Sequence, residues 1–231
     1  MIKPKRKKHA LTSLDSVFDM IEVCAKEIEG VWFGVACAGK GIVATALDST
    51  KERVLGSLMG SIPPDLKHQI VEKSSEFAEE TMHMLMELQA GNEDSKIFTL
   101  ANEYIPASAA SVLKIAAAIP LGYVASYGDI AKAAETGPRI VGRIMASNPL
   151  YPIVPCHRVV GSDFSLVGYG GGKDQKALQA KLARLSREAR GFITEREVMV
   201  EGKSLTLYPV ECVLKKARRR SWDTSNQQRL F

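Results

Sequence analysis

Three prolines within seven residues, at positions 149, 152 and 155 of the stretch NPLYPIVPCHRVVG (148–161), exclude a helix there. Each proline fixes its own φ, removes a backbone donor and disfavours a helical residue before it. The run therefore reads as an extended approach to Cys156. The residues before it read the other way. SAASVLKIAAAI, from 108, is a short helix stopped by Pro120 and Gly122, and SYGDIAKAAE follows with Ser126 as its N-cap. After TGP comes RIVGRIMAS, with Pro138 suited to a first helical turn. Two short helices joined by a tight Gly-containing turn form a helix-turn-helix candidate, although helix hairpins of this kind are common in any α-rich domain.

The chain before residue 105 has a different texture. GVWFGVACAGKGIVATALD (30–48) is two β-rich runs around AGKG, a β-hairpin. Residues 65–90 are rich in helix formers with apolar positions three and four apart, which predicts an amphipathic helix whose methionines fill the core. Residues 11–29 mix helical and short-run spacing and favour neither. Toward the other end, 174–190 forms a helix rich in Lys and Arg, and FITEREVMVEGKSLTLYPVECVL (192–214) alternates around EGKS like a second hairpin. The expected fold is α/β. A small N-terminal α/β domain (1–105) precedes a mainly α domain with the helix-turn-helix (106–190), and a short β-hairpin-like extension closes the chain (191–231).

Charge sharpens this division. The net charge is +5, but residues 9–113 hold seven basic against sixteen acidic groups, whereas 114–190 hold eleven basic against five acidic. Two further basic runs, at 3–8 and 215–220, contain no acids and read most simply as solvated tails. Such asymmetry suggests that one part of the chain faces a polyanion. No stretch approaches the ~20 apolar residues a bilayer needs. The four cysteines (Cys24, Cys37, Cys156, Cys212) show no paired spacing. Free thiols in a reducing, cytoplasmic setting are expected, with no membrane partner, no cofactor and a monomeric state. Cys24, Cys37, His68 and His83 lack the spacing of any compact metal site, and no metal is expected.

Cys156 poses the chemical question. Thiolate, not thiol, is the reactive species, so a nucleophilic cysteine needs a base or a positive field nearby. His157 is adjacent, but on an extended segment neighbouring side chains point to opposite faces, and contact requires a turn or a bridging water. Pro-Cys-His alone fits a buried cysteine beside a satisfied histidine equally well.

The surrounding words narrow the choice. PCHRVV, preceded by NP and followed by YGGG, resembles the active-site region of the O6-alkylguanine-DNA alkyltransferases, the methylated-DNA–protein-cysteine methyltransferases. The resemblance runs upstream through IPLGYVASYGDIAKAAETGPRIVGRIMASNP and covers roughly 108–190. It implies that Cys156 accepts an alkyl group from guanine O6, that His157 deprotonates it through a water, and that Asn148 ties together the turns beside it. It implies that Arg139 fills the base stack when the nucleotide swings out, that Tyr127 helps rotate it, and that the second helix enters the minor groove with Gly142, Arg143, Ala146 and Ser147. Met145, Val167, Tyr169, Gly170, Gly171 and Gly172 then wall the base pocket. The partner implied is double-stranded DNA carrying O6-alkylguanine, and the protein is nucleoid-associated in a prokaryote or nuclear in a eukaryote.

Physical reasons support this reading. An alkyl carbon on O6 is buried in a base pair, and a side chain reaches it only after extrusion of the nucleotide. A long planar cation can occupy the gap left behind. Minor-groove readout is largely independent of sequence, as repair of damage in any context requires. Arg143, Lys173, Lys176, Lys181, Arg184 and Arg187 are candidates for phosphate attraction, each with a solvated helix face as its simpler explanation.

The match has gaps. The family's histidine-orienting glutamate would fall at Ala183 by the usual spacing, whereas KLARLSRE reproduces the family's Lys-to-Glu interval and makes Glu188 the candidate. The serine often found after the pocket tyrosine is Gly170 here, a change expected to widen the pocket or alter inhibitor sensitivity. The terminal NQQRLF resembles peptides that plug into sliding clamps, which makes a clamp a candidate partner. Two other readings remain open: a non-catalytic module that binds alkylated DNA with the same helix-turn-helix, and a cysteine hydrolase using Cys156 and His157.

Overall fold

A computed structural model describes residues 20–92, 98–101 and 103–227, with side chains to Arg219. The basic run at 3–8, residues 11–19 and the end of the clamp-like peptide lie outside the described residues. The first layer is a four-stranded sheet of β1 (Ile21–Ile28), β2 (Val31–Ala38), β3 (Gly41–Asp48) and β4 (His68–Ile70), ordered β3-β2-β1-β4. The expected hairpin is β2–β3, with Cys37 opposite Ile42 and Ala38 opposite Gly41. Side chains alternate across the sheet, so Val23 and Ala36 pack against Val54 and Leu58 of α1 (Lys51–Ser61). Cys24, Val35 and Cys37 face the other way, toward Ala78, Met82 and Leu85 of α2 (Glu76–Ala90).

That second face belongs to a core continuing without a break into α3 (Ala107–Ala117) and the residues beyond it. The second layer is a small sheet ordered β6-β5-β8-β7, built from β5 (Tyr123–Ser126), β6 (Val159–Val160), β7 (Arg196–Val200) and β8 (Lys203–Pro209). Around it lie α4 (Tyr127–Ala133), α5 (Pro138–Ala146), α6 (Gln175–Glu188) and α7 (Val210–Gln227). A reciprocal capping box, Ser126 with Asp129, starts α4 directly at the end of β5. Gly137 at the N-cap and Pro138 in the first turn start α5, as the sequence predicts.

Several expectations fail for physical reasons. Only 76–90 of the expected 65–90 helix forms: Ser75 caps α2, and His68–Ile70 instead pairs parallel with β1 at the sheet edge. The approach to Cys156 is a series of turns, not an extended run. Prolines exclude a helix but not a turn, and Asn148 supplies the bonds that hold this one. Residues 210–214 are helix, not strand. Val210 and Val213 recur at helical spacing and pack against Val124, Val160 and Leu185. Through the β5–β8 pairing (Tyr123 opposite Pro209, Val124 opposite Tyr208), residues 203–209 form part of the sheet that carries the site.

Candidate active site

Parallel pairing of β5 with β6 sets Ala125 opposite Val159 and Ser126 opposite Val160. This places Tyr127, the first residue of α4, beside the segment just before β6. That segment, Cys156–Arg158, is a single 3-10 turn following Pro155 (φ −78°, ψ 70°). The turn removes the strict opposition of neighbouring side chains that an extended strand would impose. Asn148 secures the approach: its Nδ2 donates to the Val154 carbonyl at 2.8 Å, and its Oδ1 accepts from the Leu150 amide at 3.0 Å. The first sheet braces the same turn from outside, since the Thr45 amide donates to the Pro149 carbonyl (2.7 Å) and the Thr45 hydroxyl to that of Tyr151 (3.0 Å).

Cys156 lines a cleft of about 490 Å³. One wall is a single face of α5: Arg139, Gly142, Arg143 and Ala146, at spacings of three and four, with Met145 beneath. Tyr127, Val167 and the loop from Gly168 to Lys173 line the rest of the cleft. In that loop Gly170 (φ +54°) and Gly171 (φ +77°) adopt left-handed backbone, which side chains rarely tolerate. A Cβ at Gly170 would meet nothing within 4 Å, so the missing serine side chain leaves open space. The cleft thus gathers all of the expected pocket and helix residues except Ser147, which ends α5 exposed with its hydroxyl on the Arg143 carbonyl at 3.2 Å.

Behind the cysteine lies a buried ionic cluster. His157 Nε2 is 2.7 Å from Glu188 Oε1, so the glutamate five residues beyond the expected spacing does reach the histidine. Arg158, which the sequence reading did not single out, donates through Nε to Glu188 Oε2 at 2.8 Å and through Nη2 to Oε1 at 2.9 Å. Its Nη1 donates to the Ile119 carbonyl at 2.8 Å. Burial opposes a charge on Glu188, but the hydrogen bonds from His157 and Arg158 prevail and hold its carboxyl down at about 2. Burial also pulls His157 below its usual value, with Glu188 opposing. An ionised carboxylate only accepts, so a neutral His157 donates from Nε2 and keeps its lone pair on Nδ1. Nδ1 is buried and makes no hydrogen bond to a described residue.

The thiol of Cys156 is pushed up by burial; Asn148 and the charges of Lys181 and Arg184 pull it down. It rests as a thiol and needs a base. Burial first, then Cys156, pushes Tyr127 up to about 12, which keeps its hydroxyl a proton donor at neutral pH.

Two of the expected phosphate contacts are elsewhere. Lys181 is fully buried, its Nζ donating to the Val159 carbonyl at 2.5 Å and the Gly168 carbonyl at 2.9 Å, with the Tyr127 ring 5.9 Å away. Arg184 hydrogen-bonds the Tyr151 hydroxyl and lies over the Tyr151 and Tyr169 rings. Lys173, Lys176 and Arg187 are exposed, as is Arg143. Periodicity could have found Lys181, because Leu178, Lys181 and Leu185 form the inward stripe of α6. Nothing local marks Arg158. Among the described residues no three His, Cys, Asp or Glu side chains gather to hold a metal, and no helix is long and apolar enough to cross a membrane.

Comparison with known proteins agrees with this geometry. The family model described as 6-O-methylguanine DNA methyltransferase, DNA binding domain, matches residues 107–189. A methylated-DNA–protein-cysteine methyltransferase of Pyrobaculum aerophilum is 59% identical over 58 residues, which are 25% of this chain and 39% of that protein. Another, of Methanocaldococcus jannaschii, is 30% identical over 166 residues, covering 69% of this chain and 92% of that protein. The crystal structure of the O6-methylguanine-DNA methyltransferase of Pyrococcus kodakaraensis covers 71% of this chain and 98% of its own at 24% identity, with a TM-score of 0.48. Nearly the whole length of the Methanocaldococcus protein is matched at 30% identity, and the family's DNA-binding domain falls on the segment that builds the cleft: the chain belongs to the methylated-DNA–protein-cysteine methyltransferase family.

Proposed function

We propose that the protein repairs DNA by moving an alkyl group from guanine O6 onto Cys156, once per molecule. The carrying observation is a buried His–Glu–Arg cluster directly behind a cysteine that opens into a cleft beside the second helix of a helix-turn-helix. Arg139 and Arg143 on the cleft wall and Lys173 at its rim offer positive charge to a duplex. The small residues Gly142, Ala146 and Ser147 let α5 press into the minor groove. A nucleotide swung out of the stack enters between Tyr127 and the Gly168–Gly172 loop, while Arg139 takes its place.

In the reaction, His157 accepts the Cys156 proton at Nδ1, with Glu188 holding the ring and stabilising the cation that forms. The sulfur attacks the alkyl carbon, the carbon–O6 bond breaks, and its electron pair passes to guanine, where the Tyr127 hydroxyl donates a hydrogen bond. The product is a thioether, which water does not cleave, so the protein is consumed. The non-catalytic reading is not favoured, because it leaves Cys156 and the cluster behind it without use.

The test is to incubate the protein with a duplex carrying O6-methylguanine and measure intact mass. One methyl per protein, mapped to Cys156, is the expected result, and Cys156→Ala should bind the duplex yet leave the lesion. No adduct, or an adduct spread over Cys24, Cys37 and Cys212, would refute the assignment.

A further inference from the structure

The last helix lies outside the segment matched by the family's DNA-binding domain, which ends at 189. Its position is nevertheless fixed by the active-site sheet. Strand β8 pairs with β5, and α7 begins at once, with the Val210 amide donating to the Gly122 carbonyl at 2.9 Å. Val210, Val213 and Leu214, one face of α7, pack against Leu185 of α6, Val160 of β6, and Phe164 and Leu166 of the loop leading into the cleft. The other face carries Lys215, Arg218 and Arg219, all exposed and sharing a side at spacings of three and four. Between the two faces, Lys216 Nζ lies 3.4 Å from Asp163 Oδ2. Asp163 sits in the turn closed by the Gly161 amide on the Ser165 carbonyl at 2.9 Å, and the same loop continues to Val167 and Gly168 on the cleft wall.

From these contacts we infer that the basic face of α7 is a second DNA-contacting surface, gripping the phosphates of the same duplex that presents its base to Cys156. This rests on the alkyl-acceptor reading for the duplex, but on α7 alone for the contact. The helix is bolted through its apolar face and the Lys216–Asp163 pair to the loop that forms one cleft wall. Its charges have the same sign as Arg139, Arg143 and Lys173 around the cleft. Residues 212–219 hold four basic side chains and no acidic one. A run of lysine and arginine on a fixed helix makes sequence-independent phosphate contacts, as damage repair in any context requires.

The test compares wild type with the triple variant K215Q/R218Q/R219Q, whose exposed positions leave the packed face intact. Affinity for a fluorescent, unmodified duplex is measured between about 50 and 200 mM salt. Each phosphate contact adds roughly 0.9 to the slope of log affinity on log salt. Wild type should therefore lose affinity about 40-fold more steeply than the variant across that range if all three groups engage, and about 3.5-fold if one does. In parallel, both proteins receive O6-benzylguanine as the free base, and intact mass reports benzyl transfer to Cys156. Equal transfer with a shallower salt slope for the variant supports the inference; parallel salt plots overturn it. Failure of wild type to take either the benzyl group or a methyl group from an O6-methylguanine duplex would sink the alkyl-acceptor reading and leave the salt plots to judge the helix on their own.

Discussion

Lys181 is a buried cation whose cost to the fold can be measured. With its side chain fully buried, its pKa falls from 10.5 to about 8, burial being the main cause and the Cys156 sulfur opposing. The sign follows from linkage: between about 8 and 10.5 the unfolded chain holds this proton while the folded protein has released it, so stability rises with pH across that window. At roughly 1.4 kcal/mol per pKa unit, the rise attributable to Lys181 is about 3 kcal/mol. Other groups move the opposite way. Cys24 and Cys37 are raised by burial to about 12 and 11, so the unfolded chain ionises them first and high pH weakens the fold. Only a difference isolates the lysine. In Lys181→Met the side chain is one atom shorter and loses its charge, while the cysteine terms cancel on subtraction. Urea unfolding of both proteins at pH 7 and pH 10 should show wild type gaining ~2–3 kcal/mol on the variant at the higher pH. A gap that stays flat would refute the placement of this ammonium between the Val159 and Gly168 carbonyls. The variant should also react more slowly with iodoacetamide at Cys156, since a charge that favours the thiolate is gone.

Glu188→Gln should cut the single-turnover rate of alkyl transfer by roughly 10²–10⁴, because an amide no longer dictates which His157 nitrogen bears the proton. His157, already held below 6.5 by burial, loses the group that opposed that shift, so the acid limb of the variant's pH–rate profile should move lower still, and stopped-flow or quench sampling from pH 5 to 8 would register it. Arg139→Ala should slow extrusion of the lesion, read with a fluorescent base analogue, more than it weakens binding to undamaged duplex; equal losses would remove Arg139 from its assigned role. Thr45→Val deletes the hydroxyl on the Tyr151 carbonyl, costs about 1–2 kcal/mol and should lower Tm by roughly 2–8 °C in calorimetry, tying the first sheet to the active-site turn.

What the sequence revealed and what it hid divide along the range of the forces involved. The helix-turn-helix was legible because its boundaries are local: Ser126 and Asp129 cap each other three residues apart, and Gly137-Pro138 starts a helix whatever surrounds it. The strand at 68–70 was not, because only the open edge of β1 makes those residues a strand. Residues 210–214 alternate well enough for a strand, and the choice of helix falls to Leu185, Val160 and Val124, which are distant in sequence. Lys181 is hidden for another reason: its charge points to a solvated or phosphate-facing position, yet it sits where the inward stripe of α6 demands an apolar side chain.

The same lysine explains why an interval could locate Glu188 when spacing from the glycines could not. Lys181 and Glu188 stand seven residues apart, about two turns of helix, and therefore project from one face. That face grips a single short segment at two points: Lys181 takes the Val159 carbonyl, and Glu188 takes the side chains of His157 and Arg158. The two contact points are fixed relative to each other by the 3-10 turn, so the distance between their partners on α6 is fixed as well. The stretch from Gly172 to Lys181, which is Lys173, Asp174 and the first turns of α6, carries no such constraint and can change length without moving either grip. Residues inserted there shift Glu188 away from the spacing counted from the glycines and leave the Lys-to-Glu interval untouched, which makes the interval, not the offset, the signature of a carboxylate behind the histidine.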